Sequence, residues 1–600
     1  MEHRSSIAPP TDPWGPLRAA VEEAVGQAFQ ARGITLEATW LAGQLGSPAQ
    51  PPADFALALQ RPARSAGVEA SALATDLAAR LPRIPGISGF EASGPYLNFH
   101  ADSAALGRST LALVFERGDS FGHGSPKTAT ICVEHTSANT TGPFHIGRVR
   151  NAVIGDTLAR TLRAAGYPVT AQYYVDDVGR QAAIITWIWS QPVGSFPDEI
   201  DRQLPSGWRV PTPEVKPDRH LGRPYPFASA YLKTHADAAQ QVQQISQGLE
   251  AGREPEQHHQ LAEQILEGMV ASLGRLGISF DDFVWESSLI RDGSVAKAVE
   301  RLAAAPHAVR EDNGALALDA SGYGLPKESA KIIVTRGDGT SLYATRDVAF
   351  HLQKFARFGR TIDVLGVDHR LHARTLEAML REIGEERRPE FVLYAYITGP
   401  GGSAMSTRKG TAVYLDDLLA EAVTRAREEV LKRREDLAPD EVDRIAEKVG
   451  TAAVRYSIVR VAAEKTVQFD WEEALSFEGR SAPFLQYSFA RASTLLQKAE
   501  RGGGPYPYTL EDLTTEWEVA LIRNLSRLPG TVEYVARTGH VHTLATYAHA
   551  LAEDFNRFYN EVPVLKSERE RDSRIALVAA SRQALGNTLR LLGVEPLDRM

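Results

Sequence analysis

The first segment that could carry chemistry is His145-Ile146-Gly147-Arg148, which follows a predicted strand and a turn-rich connector and opens a predicted helix. A helix N-terminus presents free N–H groups and a partial positive charge, so it binds phosphate. Gly147 lets a nucleotide approach the backbone, and His145 and Arg148 can donate hydrogen bonds to phosphate oxygens. The arrangement suits stabilisation of charge on a phosphate under in-line attack. A histidine cap without a ligand is the alternative.

A second segment of the same form, His220-Leu221-Gly222-Arg223, shows that the pattern alone is weak. His220 lies between Pro217 and Pro224, and no predicted strand precedes it. We therefore predict a loop at His220 and assign phosphate binding to the segment that contains His145.

Adjacent basic residues mark the next candidate, Met405-Ser406-Thr407-Arg408-Lys409-Gly410, which follows a glycine-rich stretch. Arg408 and Lys409 on a loop flanked by glycines can close over a triphosphate and neutralise the departing pyrophosphate. A solvated basic loop is an equally good interpretation of these residues alone.

A third candidate, Tyr343-Ala344-Thr345-Arg346-Asp347, opens a predicted helix that runs to Phe355. Tyr343 and Asp347 are four residues apart and therefore lie on one helical face. A buried aspartate beside a tyrosine hydroxyl suits a planar guanidinium, which carboxylates bind in bidentate fashion. The alternative is a structural pair between Asp347 and Arg346 or another internal arginine.

The fourth candidate is Gly366-Val367-Asp368-His369, which follows a predicted buried strand. A carboxylate at the C-terminal end of a strand in an open α/β sheet is well placed to accept hydrogen bonds from ribose hydroxyls. A turn aspartate without a ligand is the alternative for Asp368.

Strands and helices that alternate along the chain must position these segments. Residues 128–134 and 169–175 are β-rich runs, and 146–165 is a predicted helix between them. Strand, helix, strand is a βαβ unit, which implies a parallel sheet and a right-handed crossover. Three further β-rich runs are predicted to return to this sheet: 332–334, 362–365 and 391–397. From residue 415 onward the chain is predicted to be helical, with 516–535 as one of its helices.

Composition bounds the class of protein. The net charge of −9, with 66 basic and 75 acidic residues, gives no overall basic signature of nucleic-acid binding, although a local basic face could still bind it. A single cysteine, Cys132, excludes an internal disulfide, and it lies in a predicted buried strand. With no long apolar run and no apolar signal core, we expect a cytoplasmic protein without a membrane span. His258 and His259 lie in a polar helix and are predicted to be solvated.

In order and spacing, these motifs resemble those of the arginyl-tRNA synthetases, a family of class I aminoacyl-tRNA synthetases. The resemblance begins with Val133-Glu134-His135-Thr136-Ser137-Ala138-Asn139, continues through the motif at His145 and includes the segment at Met405 and the helix at Tyr343. Later matches run from Ser476-Phe477-Glu478-Gly479 to the terminal Arg599-Met600. The Thr-Gly-Pro and His-Ile-Gly-Arg combination is similar to archaeal-type members.

The resemblance implies a role for each candidate. The arginine pocket would be lined by Glu134, Ser137, Asn139, Tyr343 and Asp347. ATP would be bound by His145, Gly147, Arg148, Gly366, Asp368, Met405 and Ser406. Catalysis would fall to His145, Arg148, Arg408 and Lys409, and tRNA contacts to Tyr487 and Arg491. Magnesium would arrive with ATP, no protein-bound metal is expected, and the partners would be tRNA(Arg), arginine and ATP.

The implied architecture is a multidomain α/β plus α protein with a Rossmann-type parallel sheet. An N-terminal α+β tRNA-contacting domain would span residues 1–124, and the catalytic domain would span 125–414 with an insertion at about 187–278. A helical connection, 415–475, would precede a helical anticodon-binding domain at 476–600. The family default is a monomer.

Departures from the family pattern leave alternatives open. Arg148 stands in place of a second histidine, and Ala404 and Thr407 stand in place of two motif lysines. A silent paralogue that binds tRNA or arginine is therefore the main competing hypothesis. Another class I synthetase and a small nucleotidylyltransferase are the other enzyme alternatives. A nucleotidylyltransferase does not need the helical C-terminal residues, and a single cysteine cannot supply the zinc site of a cysteine enzyme.

Overall fold

The computed structural model describes residues 11–34, 40–41, 44–46, 53–192, 198–204, 207–211, 215–398, 414–500 and 506–600. Among the helices in these ranges, none combines the length and apolar character that crossing a membrane requires.

The N-terminal unit packs helices on one antiparallel sheet. Its elements are α1 (Gly15–Ala31), β1 (Leu45–Gly46), β2 (Phe55–Ala58), α2 (Gln60–Ser65), α3 (Ala70–Arg80), β3 (Ile87–Ser93), β4 (Tyr96–Ala101) and α4 (Ser103–Arg117). The strand order is β1-β2-β4-β3. Val21, Leu57 and Phe99 are among the apolar residues of a separate core, and Asp102 caps α4 by accepting a hydrogen bond from the Ala105 amide at 2.8 Å. The predicted α+β character is confirmed.

A parallel sheet forms the centre of the molecule. Its first half and the helices that follow are β5 (Ile131–Glu134), α5 (Val149–Ala164), β6 (Val169–Val175), α6 (Arg180–Ser190), α7 (Asp198–Gln203), α8 (Pro217–Gly222), α9 (Tyr225–Tyr231), α10 (Ala236–Glu250), α11 (His258–Arg275) and β7 (Asp282–Trp285). The predicted βαβ unit, with a strand at 169–175, is confirmed.

The chain then leaves the sheet and returns to it. The elements are α12 (Glu286–Arg291), α13 (Ser294–Ala303), β8 (Ala308–Arg310), β9 (Leu316–Asp319), β10 (Lys331–Thr335), α14 (Tyr343–Arg357), β11 (Arg360–Gly366), α15 (Arg370–Glu382), β12 (Glu390–Tyr394) and β13 (Ile397–Thr398). The five-stranded order is β12-β11-β5-β6-β7, and all neighbours are parallel. Strand order therefore reverses at β5, which has β6 on one side and β11 on the other.

The C-terminal unit is almost entirely helical. It contains α16 (Leu415–Arg433), α17 (Pro439–Val459), β14 (Val467–Gln468), α18 (Trp471–Ala474), α19 (Ala482–Lys498), α20 (Glu516–Leu525), α21 (Leu528–Thr538), α22 (His542–Glu561) and α23 (Arg571–Leu591). These helices share one apolar core with the parallel sheet, so the two units are packed as one body.

One strand prediction was wrong in its destination, and another was right only in part. Residues 332–334 lie in β10, which belongs to a separate antiparallel sheet of order β10-β9-β8. Residues 391–397 split into β12, which does join the parallel sheet, and β13, which pairs with β14. Periodicity identifies a strand, but it does not identify the strand's partner.

Three local predictions were also wrong. His220 lies in α8 and not in a loop, because Pro217 suits the first turn of a helix. His258 is buried, and its ring contacts the Thr186 hydroxyl at 2.7 Å and the Asp177 carbonyl at 2.8 Å, so it is not solvated. The helix predicted at 516–535 is divided between α20 and α21, since Pro529 cannot continue the preceding helix without a clash.

Arg455, on α17, is a buried connection between elements that are far apart in sequence. Its guanidinium donates to the Leu592 carbonyl at 2.5 Å and to the Leu276 carbonyl at 2.7 Å, and it pairs with Asp156 on α5. Gly593 has a φ of 69°, and a Cβ atom there would collide with this guanidinium. The ends of α11 and α23 are thereby joined to α5 and α17.

We expect Arg455→Met to lower the free energy of unfolding by about 3–5 kcal/mol, because it removes the donor of two buried carbonyls and leaves the buried Asp156 carboxylate with Arg160 as its remaining partner. Urea unfolding followed by circular dichroism measures the change. The matched control is Arg427→Met, whose half-exposed pair with Asp443 should contribute less than about 1 kcal/mol. Equal losses in the two variants would contradict the role given to Arg455.

Candidate active site

The candidate residues converge where the strand order of the parallel sheet reverses. β5 ends at Glu134 and β11 ends at Gly366, and the two strands are neighbours with Asp363 opposite Glu134. In open α/β sheets, ligands bind in the crevice at the C-terminal ends of the strands on either side of such a reversal. Glu134, Asp368 and the connector that follows β5 lie at this edge.

The connector after β5 is held in an uncommon backbone conformation. Thr136 has a φ of 78° and Ser137 a φ of 31°, a region that residues with a Cβ rarely adopt. The Thr136 amide donates to Asn151 at 2.8 Å, and the Ser137 hydroxyl donates to Glu134 at 2.8 Å. Buried contacts thus hold a strained turn beside the end of β5, as is common at functional sites.

His135, within this connector, packs its side chain into the interior beside the turn. Its ring is buried against Phe280, and burial lowers its pKa to about 4. A Cβ atom on Gly155 of α5 would collide with the His135 side chain. Gly155 therefore allows helix and connector to approach each other, and His135 is structural.

The phosphate-binding candidate begins with a short 3₁₀ turn, Ile146–Arg148, and α5 proper starts only at Val149. Nδ1 of His145 accepts a hydrogen bond from the Gly147 amide at 3.0 Å, and burial together with Arg148 lowers the pKa of His145. An accepting Nδ1 places the proton of the neutral ring on Nε2, where it can be donated to a ligand. A Cβ atom at Gly147 would lie 3.0 Å from Nδ1, so a larger residue there would crowd the His145 ring.

Arg148 connects the phosphate-binding candidate with the connector. Its guanidinium donates to the Ser137 carbonyl at 3.1 Å and to the Asn139 side chain at 3.5 Å. Asn139 in turn forms a backbone bridge with Asp176 at the end of β6. The structure therefore brings together Ser137, Asn139 and Arg148, which the sequence placed in two different functional groups.

The second basic segment lies outside the described residues, so Met405, Ser406, Arg408 and Lys409 have no structural account. The residues that flank it are tied to the site. Tyr414 forms a backbone bridge with His145, and the Leu415 amide donates to the Phe144 carbonyl at 2.8 Å. One end of the segment therefore starts beside the phosphate-binding candidate.

Arg150 anchors the other end. This residue of α5 is fully buried and donates to four backbone carbonyls, those of Ala395 at 2.6 Å, Val461 at 3.5 Å, Ala462 at 2.7 Å and Lys465 at 2.5 Å. Burial lowers the pKa of Arg150 to about 10. Ala395 lies between β12 and β13, and Lys465 precedes β14, so Arg150 secures the pair of strands from which the second segment departs.

A chain of paired charges crosses the site from β5 to α15. Lys354 pairs with Glu134 and, at 2.8 Å, with Asp363. His351 joins Asp363 at 2.7 Å to Asp347 at 2.9 Å, and His372 contacts the other Asp347 oxygen at 2.6 Å. Glu134 and Asp347, assigned to one pocket from the sequence, are thereby members of one network.

The network sets the protonation of its members. Burial opposes the charged form of Lys354, but Asp363 and Glu134 outweigh it and raise the Lys354 pKa. Burial and Lys354 oppose protonation of His351, yet Asp347 and Asp363 raise its pKa to about 10. Burial alone would raise the pKa of Asp347, but the two histidines hold it well below its ordinary value. Asp347 is therefore an ionised carboxylate in a largely buried setting.

A second buried group of charges lies beside the first. Arg346 pairs with Glu286 at the start of α12, so the expected alternative of a pair between Arg346 and Asp347 is not what the structure shows. Glu286 also contacts Asp176, and burial raises the Glu286 pKa to about 8. Two carboxylates thus face each other at the ends of β6 and β7, close to Asn139.

Sequence reasoning missed most of these partners. It assigned no role to Lys354, His351, His372, Asp363 or Glu286. Asp363 could have been recognised from the sequence, because it is an acidic residue in the middle of the apolar strand β11. A charge at such a position requires a buried partner.

The remaining candidates differ in exposure. Tyr343 is exposed at the start of α14 with its ring against His372, at a centroid distance of 5.0 Å. Asp368 and His369 are exposed at the end of β11, and their side chains lie 3.7 Å apart. Among the described residues, no group of three or more His, Cys, Asp or Glu side chains is arranged to hold a metal ion. Cys132 is buried as expected, and burial raises its pKa to about 12.

Tyr487 and Arg491 lie away from the sheet, in a groove of about 1110 Å³ between α16 and α19. The Arg491 guanidinium lies 4.8 Å from the Tyr487 ring centroid and 4.6 Å from that of Tyr559, and it donates to Asn556 at 2.6 Å. Further basic side chains on α16, Arg425 and Arg433, also line this groove.

Two sequence families match this chain over most of its length. Residues 111–204 and 212–471 match the family described as tRNA synthetases class I (R), catalytic domain. Residues 485–600 match the family described as DALR anticodon binding domain.

Individual relatives agree with these matches. The arginine–tRNA ligase of Methanocella arvoryzae is 43% identical over 515 residues, which cover 85% of this chain and 87% of that protein. The arginine–tRNA ligase of Methanosphaerula palustris is 40% identical over 552 residues, or 91% and 93% of the two chains. Thermus thermophilus arginyl-tRNA synthetase has a similar structure, with a TM-score of 0.80 at 28% identity, covering 97% of this chain and 100% of that one.

These matches agree with the reversal of strand order at β5, the His145 segment and the buried carboxylate pocket, and the chain belongs to the arginyl-tRNA synthetase family of class I aminoacyl-tRNA synthetases.

Proposed function

We propose that this protein is an arginine–tRNA ligase, which activates L-arginine with ATP to arginyl-adenylate and transfers arginine to the 3′ end of tRNA(Arg), with AMP and diphosphate as products. The observation that carries the proposal is Asp347, an ionised carboxylate that is only 22% exposed at the end of a buried charge network. A planar guanidinium is the cation that such a carboxylate binds best.

Residues around Asp347 would bind the remaining parts of the substrate arginine. Tyr343 stands one helical turn before Asp347 and can flank the guanidinium. Glu134, Ser137 and Asn139, on β5 and its connector, would contact the polar groups of arginine. The carboxylate of arginine would then face the N-terminus of α5.

ATP would lie across the same crevice. Nε2 of His145, the Gly147 backbone and Arg148 would bind its phosphates, and Gly366 and Asp368 its ribose. Met405 and Ser406 complete the ATP-binding set by resemblance, and Arg408 and Lys409 would neutralise the departing diphosphate. Magnesium would be bound with ATP as part of the substrate. Catalysis in this arrangement is positioning plus stabilisation of charge.

We assign one function to each successive domain of the chain. Residues 1–124 would contact tRNA, 125–414 would carry out catalysis and 476–600 would bind the anticodon stem-loop, with 415–475 as connection. The groove with Tyr487 and Arg491 supports this, because aromatic rings with adjacent guanidinium groups suit unstacked bases and phosphates. A cytoplasmic monomer is the state that we propose for the protein.

The defining test is transfer of each labelled amino acid to total tRNA in the presence of ATP and magnesium. We expect arginine alone to become acid-precipitable. Folded protein that binds tRNA but charges nothing would instead favour the silent paralogue, whose support is Ala404 and Thr407 in place of the motif lysines.

We expect Asp347→Ala to weaken arginine binding by about 100-fold or more while the protein still folds, because no other carboxylate can accept the guanidinium at that position. Calorimetric titration with arginine measures the loss. Asp338→Ala, at an exposed turn, is the matched control and should bind arginine normally. Unaltered binding by Asp347→Ala would refute the pocket assignment.

Lys409→Ala should slow adenylate formation by roughly 100-fold while arginine affinity stays within a few-fold, because its charge is needed as diphosphate departs. Rapid-quench measurement of activation, beside an arginine titration, separates the two quantities. Lys297→Ala, which removes an exposed lysine of α13, is the control. An undiminished rate would transfer the role to Arg408.

A further inference from the structure

Both oxygens of the Asp347 carboxylate are already engaged by imidazoles. His351 contacts Oδ1 at 2.9 Å, and His372 contacts Oδ2 at 2.6 Å. A guanidinium binds a carboxylate through two parallel hydrogen bonds and therefore needs both oxygens. Each oxygen has two acceptor positions, so an arginine that enters from the open side of the carboxylate competes with the imidazole on that side.

The two imidazoles are not equally able to give way. His351 is 2% exposed and is held from its other side by Asp363 at 2.7 Å. His372 is 16% exposed, and its Nδ1 atom is buried without a hydrogen-bond partner among the described residues. Its ring is bounded by the exposed Tyr343 ring, so it lies on the open side of the carboxylate. His372 is therefore the group that arginine displaces.

We propose that His372 is a positioning residue that neutralises Asp347 in the absence of arginine and releases a proton to solvent when the arginine guanidinium takes its place. The proposal rests on the proposed function and deepens it, because it assigns the proton balance of substrate binding to one residue. No covalent bond is formed or broken in this step.

The charges around His372 determine the direction of proton transfer. Asp347 and His351 face it from α14, Glu134 from β5, and the rings of Tyr343 and His369 lie beside it. Burial lowers the pKa of His372, but its hydrogen bond to Asp347 outweighs burial and raises the pKa above the ordinary value. Bound arginine pairs with Asp347 and so breaks the hydrogen bond between Asp347 and His372. It also places a guanidinium beside His372, and a guanidinium keeps its own proton at any relevant pH. The imidazolium of His372 is then left beside a cation and gives up its proton.

Arginine affinity should therefore depend on pH. Protonated His372 competes with arginine for Asp347, so arginine affinity rises with pH between the His372 pKa of the complex and the higher pKa of the free enzyme. The slope approaches tenfold per pH unit for a single proton, and affinity levels off above the pKa of the free enzyme.

Calorimetric titration of the full-length enzyme with L-arginine, in buffers of different ionisation enthalpy, counts the protons released. We expect close to one proton per arginine within the rising part of the pH profile. His372→Gln keeps a donor toward Asp347 but cannot titrate, so it should release almost none and bind arginine with nearly constant affinity. His307→Gln, which removes an exposed histidine paired with Glu382, should keep the release seen in the unaltered enzyme.

Each outcome decides a different point. An unaltered enzyme that binds arginine without releasing a proton overturns the inference and leaves the proposed function intact. Undiminished release in His372→Gln assigns the proton to another group and also overturns it. An enzyme that binds no arginine at any pH refutes the proposed function and this inference with it. If His372→Gln does not fold, His372→Asn provides the same comparison.

Discussion

The pairing of one buried lysine determines the shape of the pocket. Lys354 carries its charge at a position that is 1% exposed, where an unpaired ammonium group would be destabilising by several kcal/mol. It is tolerated because Glu134 and Asp363 approach it from two adjacent strands. β5 and β11 must therefore be neighbours, and α14 must present to them the face that carries Lys354. Once these three elements are in place, His351 and Asp347, on the same side of α14, have no other position available.

This constraint explains why the site is ready before substrate arrives. The carboxylates at the edge of the sheet are held by internal partners and not by solvent, so the only partner that the proposed binding step displaces is His372. The strained backbone at Thr136 is held in the same way, by the Asn151 side chain of α5, whereas the cap at His145 is a local contact between its ring and the Gly147 amide. A preorganised set of charges is the main contribution that a protein makes to adenylate chemistry.

The sequence was informative where the physics is local. The strand at 169–175 and the fold class follow from periodicity, turn residues and the resemblance of motifs. It failed where contacts are distant. No pattern around His258 shows that Thr186 and Asp177 enclose it, and none shows that 332–334 pairs outside the parallel sheet. The charge network joins residues from β5, α14, β11 and α15, so only the folded chain reveals it. The roles of the individual site residues remain predictions.

The anchor formed by Arg150 has an evolutionary consequence. Its partners are backbone carbonyls, among them those of Ala395, Ala462 and Lys465, which substitution of those side chains would not remove. The two points at which the basic segment begins and ends are thus secured by main chain and by an arginine that lies outside the segment. Divergence within the segment, including Ala404 and Thr407, can accumulate without altering the scaffold that carries it. The fold thereby separates inheritance of the framework from inheritance of the segment that it carries.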